Sequence, residues 1–272
     1  MKRFRVFKVP FDKSVISRPG ARFAPDRIVH YLGKLHLNVD YTVEEPKEDF
    51  NQYDVARAHT MIEEWIKGSI TEETFPVFIG GDHSITFPLF KAMKERLYPD
   101  EEIYILNIDA HFDIREWEPD RITSGTPFRR ILDYNLIEGK QIIEIGIRAF
   151  SNSPKLKEDA RRFGIIWYSL DEVKENLKDI LQKVKGIIGN SPLYFTFDMD
   201  VMESGCCPGS SAAHPYGLTF VEGLQIVDFV SKELNPIALD IVEVSPPWDR
   251  ENNTSKAAAY YLGRFMHNLT LV

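Results

Sequence analysis

Apolar residues along this chain fall into short runs separated by longer amphipathic stretches. The runs lie at residues 4–9, 37–43, 76–79, 103–108, 142–147, 164–168, 193–197 and 237–242. They are rich in β-branched and aromatic residues, and several are apolar almost throughout. That pattern predicts strands buried on both faces. Between them, residues 26–35, 52–67, 84–96, 155–162, 170–188 and 221–234 carry apolar positions at helical spacing. Strands alternating with amphipathic helices predict a parallel sheet covered on both sides. Whether it closes as a barrel or stays open as a three-layer sandwich is left undecided by the pattern. The charged segments 44–50 and 115–123, with Pro46 and Pro119, read as loops. No linker or fixed-period repeat divides the chain, which predicts one domain over residues 1–272.

Three of the apolar runs end in residues that bind metal ions. The run 103–108 passes into Asp109-Ala-His-Phe-Asp113, with Asp109, His111 and Asp113 at a spacing of two. A strand leaving a sheet presents alternate residues on one face, so these three side chains can converge at its C-terminal end. The run 76–79 leads into Gly80-Gly-Asp-His-Ser84, and 193–197 into Asp198-Met-Asp200. Any one of these segments alone reads as ordinary turn or capping chemistry. All three at strand ends point to one site on one sheet edge. His83, Asp109, His111, Asp113, Asp198 and Asp200 form a set rich in hard oxygen donors and free of thiolates. Such a set favours Mn²⁺ or a similar octahedral ion over tetrahedral structural zinc. Six donors exceed what one ion with an open position needs. They suit two ions sharing a water, which loses a proton near neutral pH and becomes a nucleophile. Asp82, which the spacing turns away from His83, is expected to fix backbone amides or to hold a ligand residue in place from behind.

Charge and cysteine usage narrow the function further. A formal net charge of −8 with no basic block argues against nucleic-acid binding. The basic N-terminus lacks a following apolar segment and does not read as a secretory signal. No apolar run approaches the ~18 residues of a membrane span. The two cysteines, Cys206 and Cys207, are adjacent. Neighbouring cysteines rarely pair, so a disulfide framework is not expected, and a reducing cytoplasmic location fits.

Gly80-Gly-Asp-His-Ser84, Asp109-Ala-His-Phe-Asp113, Asp198-Met-Asp200 and Asp240-Ile-Val-Glu-Val-Ser-Pro246 resemble, in order, the four signature blocks of the ureohydrolase family. That family contains arginases, agmatinases and formimidoylglutamases. The segment Arg18-Pro-Gly-Ala-Arg-Phe-Ala-Pro25 is similar to its early Gly/Pro stretch, so the resemblance spans nearly the whole chain. It implies an arginase-like α/β fold, a three-layer αβα sandwich with a mainly parallel sheet of about eight strands. It also implies a homo-oligomer, trimer or hexamer, and two Mn²⁺ ions held by His83, Asp109, His111, Asp113, Asp198 and Asp200. Asp109 and Asp198 would lie near both ions, and the catalytic Asp113 would orient the bridging hydroxide. Glu243 would be catalytic and substrate-binding at once. A planar N–C–N cation prefers a facing carboxylate, which aims its central carbon at the nucleophile.

The substrate class follows from the departures. Arginases and agmatinases generally carry a His before Gly-Thr-Pro; here Ser124, a candidate substrate contact, stands there, and Ser124-Gly-Thr-Pro-Phe128 resembles formimidoylglutamases, which also tend to lack that His. His111-Phe-Asp-Ile-Arg115 and Gly146-Ile-Arg-Ala-Phe-Ser-Asn-Ser153 also resemble segments of that branch, with Asn152 a substrate contact in the second. Arg115, two residues beyond the ligand triplet, suits the distal carboxylates of formimidoylglutamate and would repel agmatine. Arg121, Arg129 and Arg148 are weaker candidates for a second carboxylate contact. Glu203 stands where the third block usually has Asp, and His214 in the loop that follows is weighed as a proton shuttle or a surface residue. The reading is a binuclear manganese hydrolase that cleaves a C–N bond of N-formimidoyl-L-glutamate, giving L-glutamate and formamide in histidine degradation. The alternatives are an agmatinase or other guanidino-compound hydrolase that releases urea, and a non-catalytic metal-binding relative.

Overall fold

The computed structural model describes residues 2–50 and 54–271. The first positions of the predicted helix 52–67 lie outside the described residues. All eight predicted strands form: β1 (Arg3–Lys8), β2 (Asp40–Glu44), β3 (Phe75–Ile79), β4 (Tyr104–Ile108), β5 (Ile142–Ile147), β6 (Ile166–Ser169), β7 (Pro192–Asp198) and β8 (Asn235–Val242). They make one open sheet in the order β2-β1-β3-β8-β7-β4-β5-β6. Every adjacent pair is parallel.

Among the described residues, eight α-helices cover this sheet: α1 (Ala24–Leu32), α2 (Val55–Ser69), α3 (Thr86–Leu97), α4 (Pro127–Asp133), α5 (Pro154–Phe163), α6 (Leu170–Ile188), α7 (Phe220–Glu233) and α8 (Asn253–Leu271). Side-chain alternation along the strands divides the interior into two cores. Phe4, Val6, Leu106, Phe195 and Ile241 pack with apolar residues of α1, α6, α7 and α8. Phe7, Phe78, Ile105, Tyr194 and Val242 pack with α2, α3, α4 and α5. The sheet is therefore the middle layer of an αβα sandwich, and the barrel alternative falls away. Local chemistry sets several helix starts. Ser169 and Thr219 cap α6 and α7 with reciprocal bonds to Glu172 and Glu222, and Ser153 caps α5 ahead of Pro154.

Two helices were not anticipated. Helix α4 is only seven residues long, too short for a periodic signal. Helix α8 buries Ala257, Ala258 and Ala259 in succession and, past the exposed Tyr260, Tyr261, Leu262 and Gly263, so it has no narrow apolar stripe to recognise.

The strand order positions the site. β3, β8, β7 and β4 are neighbours in the middle of the sheet, and their C-terminal ends deliver His83, Glu243, Asp198 and Asp109. An open α/β sheet binds its ligands at this edge.

Candidate metal centre and its pocket

The structure brings all six predicted ligands together in two overlapping groups. His83, Asp109, Asp113 and Asp198 each offer one donor atom within 4.8 Å of the others, and Asp109, His111 and Asp200 do the same. Asp109 belongs to both. His83 Nδ1 lies 3.1 Å from carboxylate oxygens of Asp109, Asp113 and Asp198. His111 Nδ1 lies 3.1 Å from Asp200 Oδ2 and 3.5 Å from Asp109 Oδ1.

The local chemistry fits a divalent cation. Despite its neighbours, His83 Nδ1 makes no hydrogen bond, while its Nε2 lies 3.2 Å from the Thr196 hydroxyl. A proton on Nε2, donated to Thr196, leaves the Nδ1 lone pair facing three carboxylate oxygens. That arrangement is unfavourable unless a cation lies among them. Asp200 Oδ1 is likewise buried without a hydrogen-bond partner. Charge crowding gives the same picture. Burial, then Asp200 and Asp109, push the Asp198 carboxyl well up, and burial with Asp109 raises Asp113. Burial opposes charge on His83, but the surrounding carboxylates raise it well above its ordinary value; for His111 Asp200 does the same. Asp109 is pulled below the carboxylate range, against burial, by His111 and His83.

Backbone shape at two positions is costly and local to the site. Asp113 (φ 48°) and Glu243 (φ 63°) both occupy the left-handed region, which costs a non-glycine residue of order 1 kcal/mol or more. Glu243 is held there by its partners. Its Oε1 accepts from the His83 amide at 2.8 Å, its amide donates to the Gly81 carbonyl, and Ser211 Oγ donates to Oε2. Burial and the Asp82 carboxylate push Glu243 up to about 8; cations held in the adjacent cluster would act in the opposite direction.

The Gly80–His83 turn needs its glycine. A Cβ on Gly81 would stand 1.6 Å from the Phe11 carbonyl oxygen. Asp82 then fixes this turn, accepting from the amides of Ser14 and Ser84, as its spacing predicts. Substituting Gly81→Ala is expected to lower stability by about 3 kcal/mol or more and to reduce metal content together with it. Urea unfolding and metal analysis of the variant check this; an unfolding midpoint equal to that of wild type contradicts it.

A cavity of about 90 Å³ opens at the cluster: His111, Asp113, Asp198, Asp200 and Glu243 line it together with Arg115, Ser124, Ser211, Ala212, Ile16 and Ser17. A larger surface groove of about 490 Å³, between Phe23 and Pro247, touches none of the cluster, so size does not locate the chemistry. Arg115 is the only arginine or lysine lining the cavity among the described residues. Its side chain passes over Gly125, where a Cβ would lie 2.7 Å from its Cδ. Ser124 lines the wall, its amide bound to the Ser14 carbonyl.

Several expected contacts are placed elsewhere. Asn152, anticipated as a substrate contact, is committed to backbone: its Oδ1 accepts from Phe112 N, and its Nδ2 donates to the carbonyls of Ala110 and Arg148. It does not line the cavity and instead braces the loop that carries His111. Arg148 is buried and donates to the Asp200 carbonyl, and Arg129 pairs with Asp133. Arg121 is exposed outside the cavity wall. His214 is exposed and accepts from the Tyr216 amide, away from the pocket.

Other residues at the site went unanticipated. Ser211 reaches Glu243 from a loop without sequence pattern. Asn107 Nδ2 donates to Asp109 Oδ2 at 3.2 Å and to Glu144 Oε2 at 2.6 Å. Both are polar residues inside apolar strands, and that interruption was the available signal. Thr196 in β7 is a third case.

A parallel αβα sandwich with a double His/Asp cluster at the C-terminal edge of its sheet defines an α/β protein with side chains placed to hold metal ions. More narrowly, the chain belongs to the arginase family, whose pattern it matches over residues 2–267. It is 32% identical over 270 residues to formimidoylglutamase of Bacillus subtilis (strain 168), spanning 93% of this chain and 83% of that protein. It is 34% identical over 269 residues to an agmatinase of Bacillus cereus, spanning 94% and 88%. The crystal structure of the B. subtilis formimidoylglutamase superposes with a TM-score of 0.90 at 30% identity, covering 100% of this chain and 88% of that one. The protein is thus an arginase-family hydrolase of amidino groups.

Proposed function

We propose that this protein hydrolyses N-formimidoyl-L-glutamate to L-glutamate and formamide, using two Mn²⁺ ions at the six-residue cluster. The observation that carries the substrate assignment is Arg115, the one arginine among the described residues that lines the same cavity as Glu243. The amidine end is cationic and planar, and the Glu243 carboxylate faces it. The other end carries carboxylates, which a guanidinium fork binds in pairs. Agmatine, cationic at both ends, would set a positive amine against Arg115.

Two divalent ions held by His83, Asp109, Asp113 and Asp198, and by Asp109, His111 and Asp200, would supply Lewis acidity and lower the pKa of water. Hard oxygen donors with two imidazoles suit Mn²⁺. The chain's own groups do the rest. Glu243 binds the amidinium and aims its central carbon at the cluster. Asp113, partly open to the cavity, takes the proton of the attacking water and returns it to the departing amine nitrogen. Ser124 leaves the wall beside that nitrogen without an imidazole, so Asp113 is the proton carrier. Thr196 and Asn107 hold His83 and Asp109 in orientation.

The test is turnover of Mn²⁺-loaded protein on formimidoylglutamate, agmatine and arginine side by side. Formamide and glutamate from the first substrate, with no urea from the others, are expected. Urea from agmatine, the substrate named by the 34% identical relative, would overturn the Arg115 argument and retain the cluster. Arg115→Ala is expected to raise KM for formimidoylglutamate by about 10- to 100-fold, the loss of hydrogen bonds to a charged group, with kcat little changed. An unchanged KM would remove Arg115 from the substrate.

A further inference from the structure

The two cysteines stand outside the metal cluster, and the proposed reaction does not use them. Their sulfurs lie 3.7 Å apart on adjacent residues. Cys207 is buried, and Cys206 is half-exposed. The chain has no other cysteine, so an intramolecular disulfide can form only between these two.

We propose that Cys206 and Cys207 are a peroxide-sensitive modification site that closes reversibly to a vicinal disulfide and loosens the loop presenting Ser211 to Glu243. The Cys206 thiolate attacks a hydroperoxide oxygen, breaking the O–O bond. This gives a sulfenic acid and releases the alcohol, or water from hydrogen peroxide itself. The Cys207 thiol then attacks that sulfur, and the sulfenic oxygen leaves as water. Two thiols lose two electrons and two protons, and one peroxide is reduced. Its neighbour's thiol lowers the pKa of Cys206, favouring it as the attacking group.

Ring geometry makes the product labile. Neighbouring Cα atoms lie about 3.8 Å apart across a trans peptide, whereas disulfides span about 4.4–6.8 Å between Cα atoms. A 206–207 bridge must therefore twist its own peptide unit, and strained disulfides are the readily reduced ones. This also reconciles the pair with the rarity of structural disulfides between neighbours.

The twist falls where it can be felt. The amides of Cys206 and Cys207 both donate to the Glu203 carbonyl, closing the turn that would be distorted. Two residues on, Gly209 is pinned by its amide to Thr254 Oγ1 and by its carbonyl to the Ser245 amide. Ser211, the residue that donates to Glu243, lies two residues beyond that pin.

The experiment treats the reduced, metal-loaded protein with limiting hydrogen peroxide and reads intact mass, peptide map and amide hydrogen exchange. The expected mass change is the loss of two hydrogens, mapped to the 206–207 peptide and reversed by dithiothreitol. It should be absent from both Cys206→Ser and Cys207→Ala. Exchange at Cys207, Gly209 and Ser245 should rise about tenfold on oxidation, the scale of one lost local hydrogen bond, and should not change in peroxide-treated Cys206→Ser. Gain of oxygen atoms or an interchain disulfide would overturn the pairing. Hydrogen loss with unchanged exchange would overturn the link to the loop. Neither readout depends on which substrate the enzyme takes.

Discussion

Replacing Asp109 with Asn is expected to cost activity about a thousandfold or more, and to leave the protein unable to hold two ions. Asp109 is the residue common to both donor groups. Its Oδ2 faces His83 and its Oδ1 faces His111, so one substitution weakens both. An amide keeps the size but gives up the negative charge and presents N–H hydrogens to one of the two positions. Losing Lewis-acid stabilisation worth several kcal/mol corresponds to about three powers of ten or more in rate. The fold should survive, because the carboxylates repel one another in the absence of a cation and removing one charge relieves that repulsion. Metal analysis and circular dichroism of the variant, read beside its turnover, separate the cases. A variant with two ions and wild-type turnover would remove Asp109 from the centre.

Glu243→Gln should lower kcat/KM by about 100- to 1000-fold while metal content stays at the wild-type level. Glutamine preserves the shape: its Oε1 can still accept from the His83 amide, and its Nε2 can donate to the Ser211 hydroxyl once that hydroxyl turns to accept, so the cluster beside it is not disturbed. It loses the charge that faces the amidinium. Breaking one partner of a buried charge pair costs about 2–5 kcal/mol, which is the origin of that range at about 1.4 kcal/mol per tenfold. Burial and Asp82 raise this carboxyl to about 8 in the ligand-free pocket. Binding an amidinium then stabilises the ionised form and draws the group back down. A parallel loss of metal in the variant would assign Glu243 to the cluster instead of the substrate.

The sheet and the six clustered residues were legible in the sequence for a common reason. Strands buried on both faces read as apolar runs, and a parallel sheet places all their C-terminal ends on one edge. Donors that follow different runs therefore converge without any knowledge of the loops. What was not legible depends on loop path and on partners distant in sequence. Asn152 sits in a segment that resembles a substrate-contacting one, but its amide is consumed by Ala110, Phe112 and Arg148. Ser211 gains its role only because the loop after β7 folds onto Val244 and Ser245. The left-handed backbone of Glu243 is imposed by contacts with Gly81, His83 and Ser211, and its own sequence gives no hint of it. Asn107 and Glu144 face each other because β4 and β5 pair in that register, which a single strand cannot reveal.

The most direct measurement is a Mn²⁺ titration of the chelated protein that follows bound metal by calorimetry and amidine hydrolysis in the same samples. Two ions per chain should bind, chelated protein should be inactive, and activity should rise with occupancy until both positions are filled. Full hydrolysis by the chelated protein would contradict the two-ion account at its centre, as would complete activity with a single ion bound.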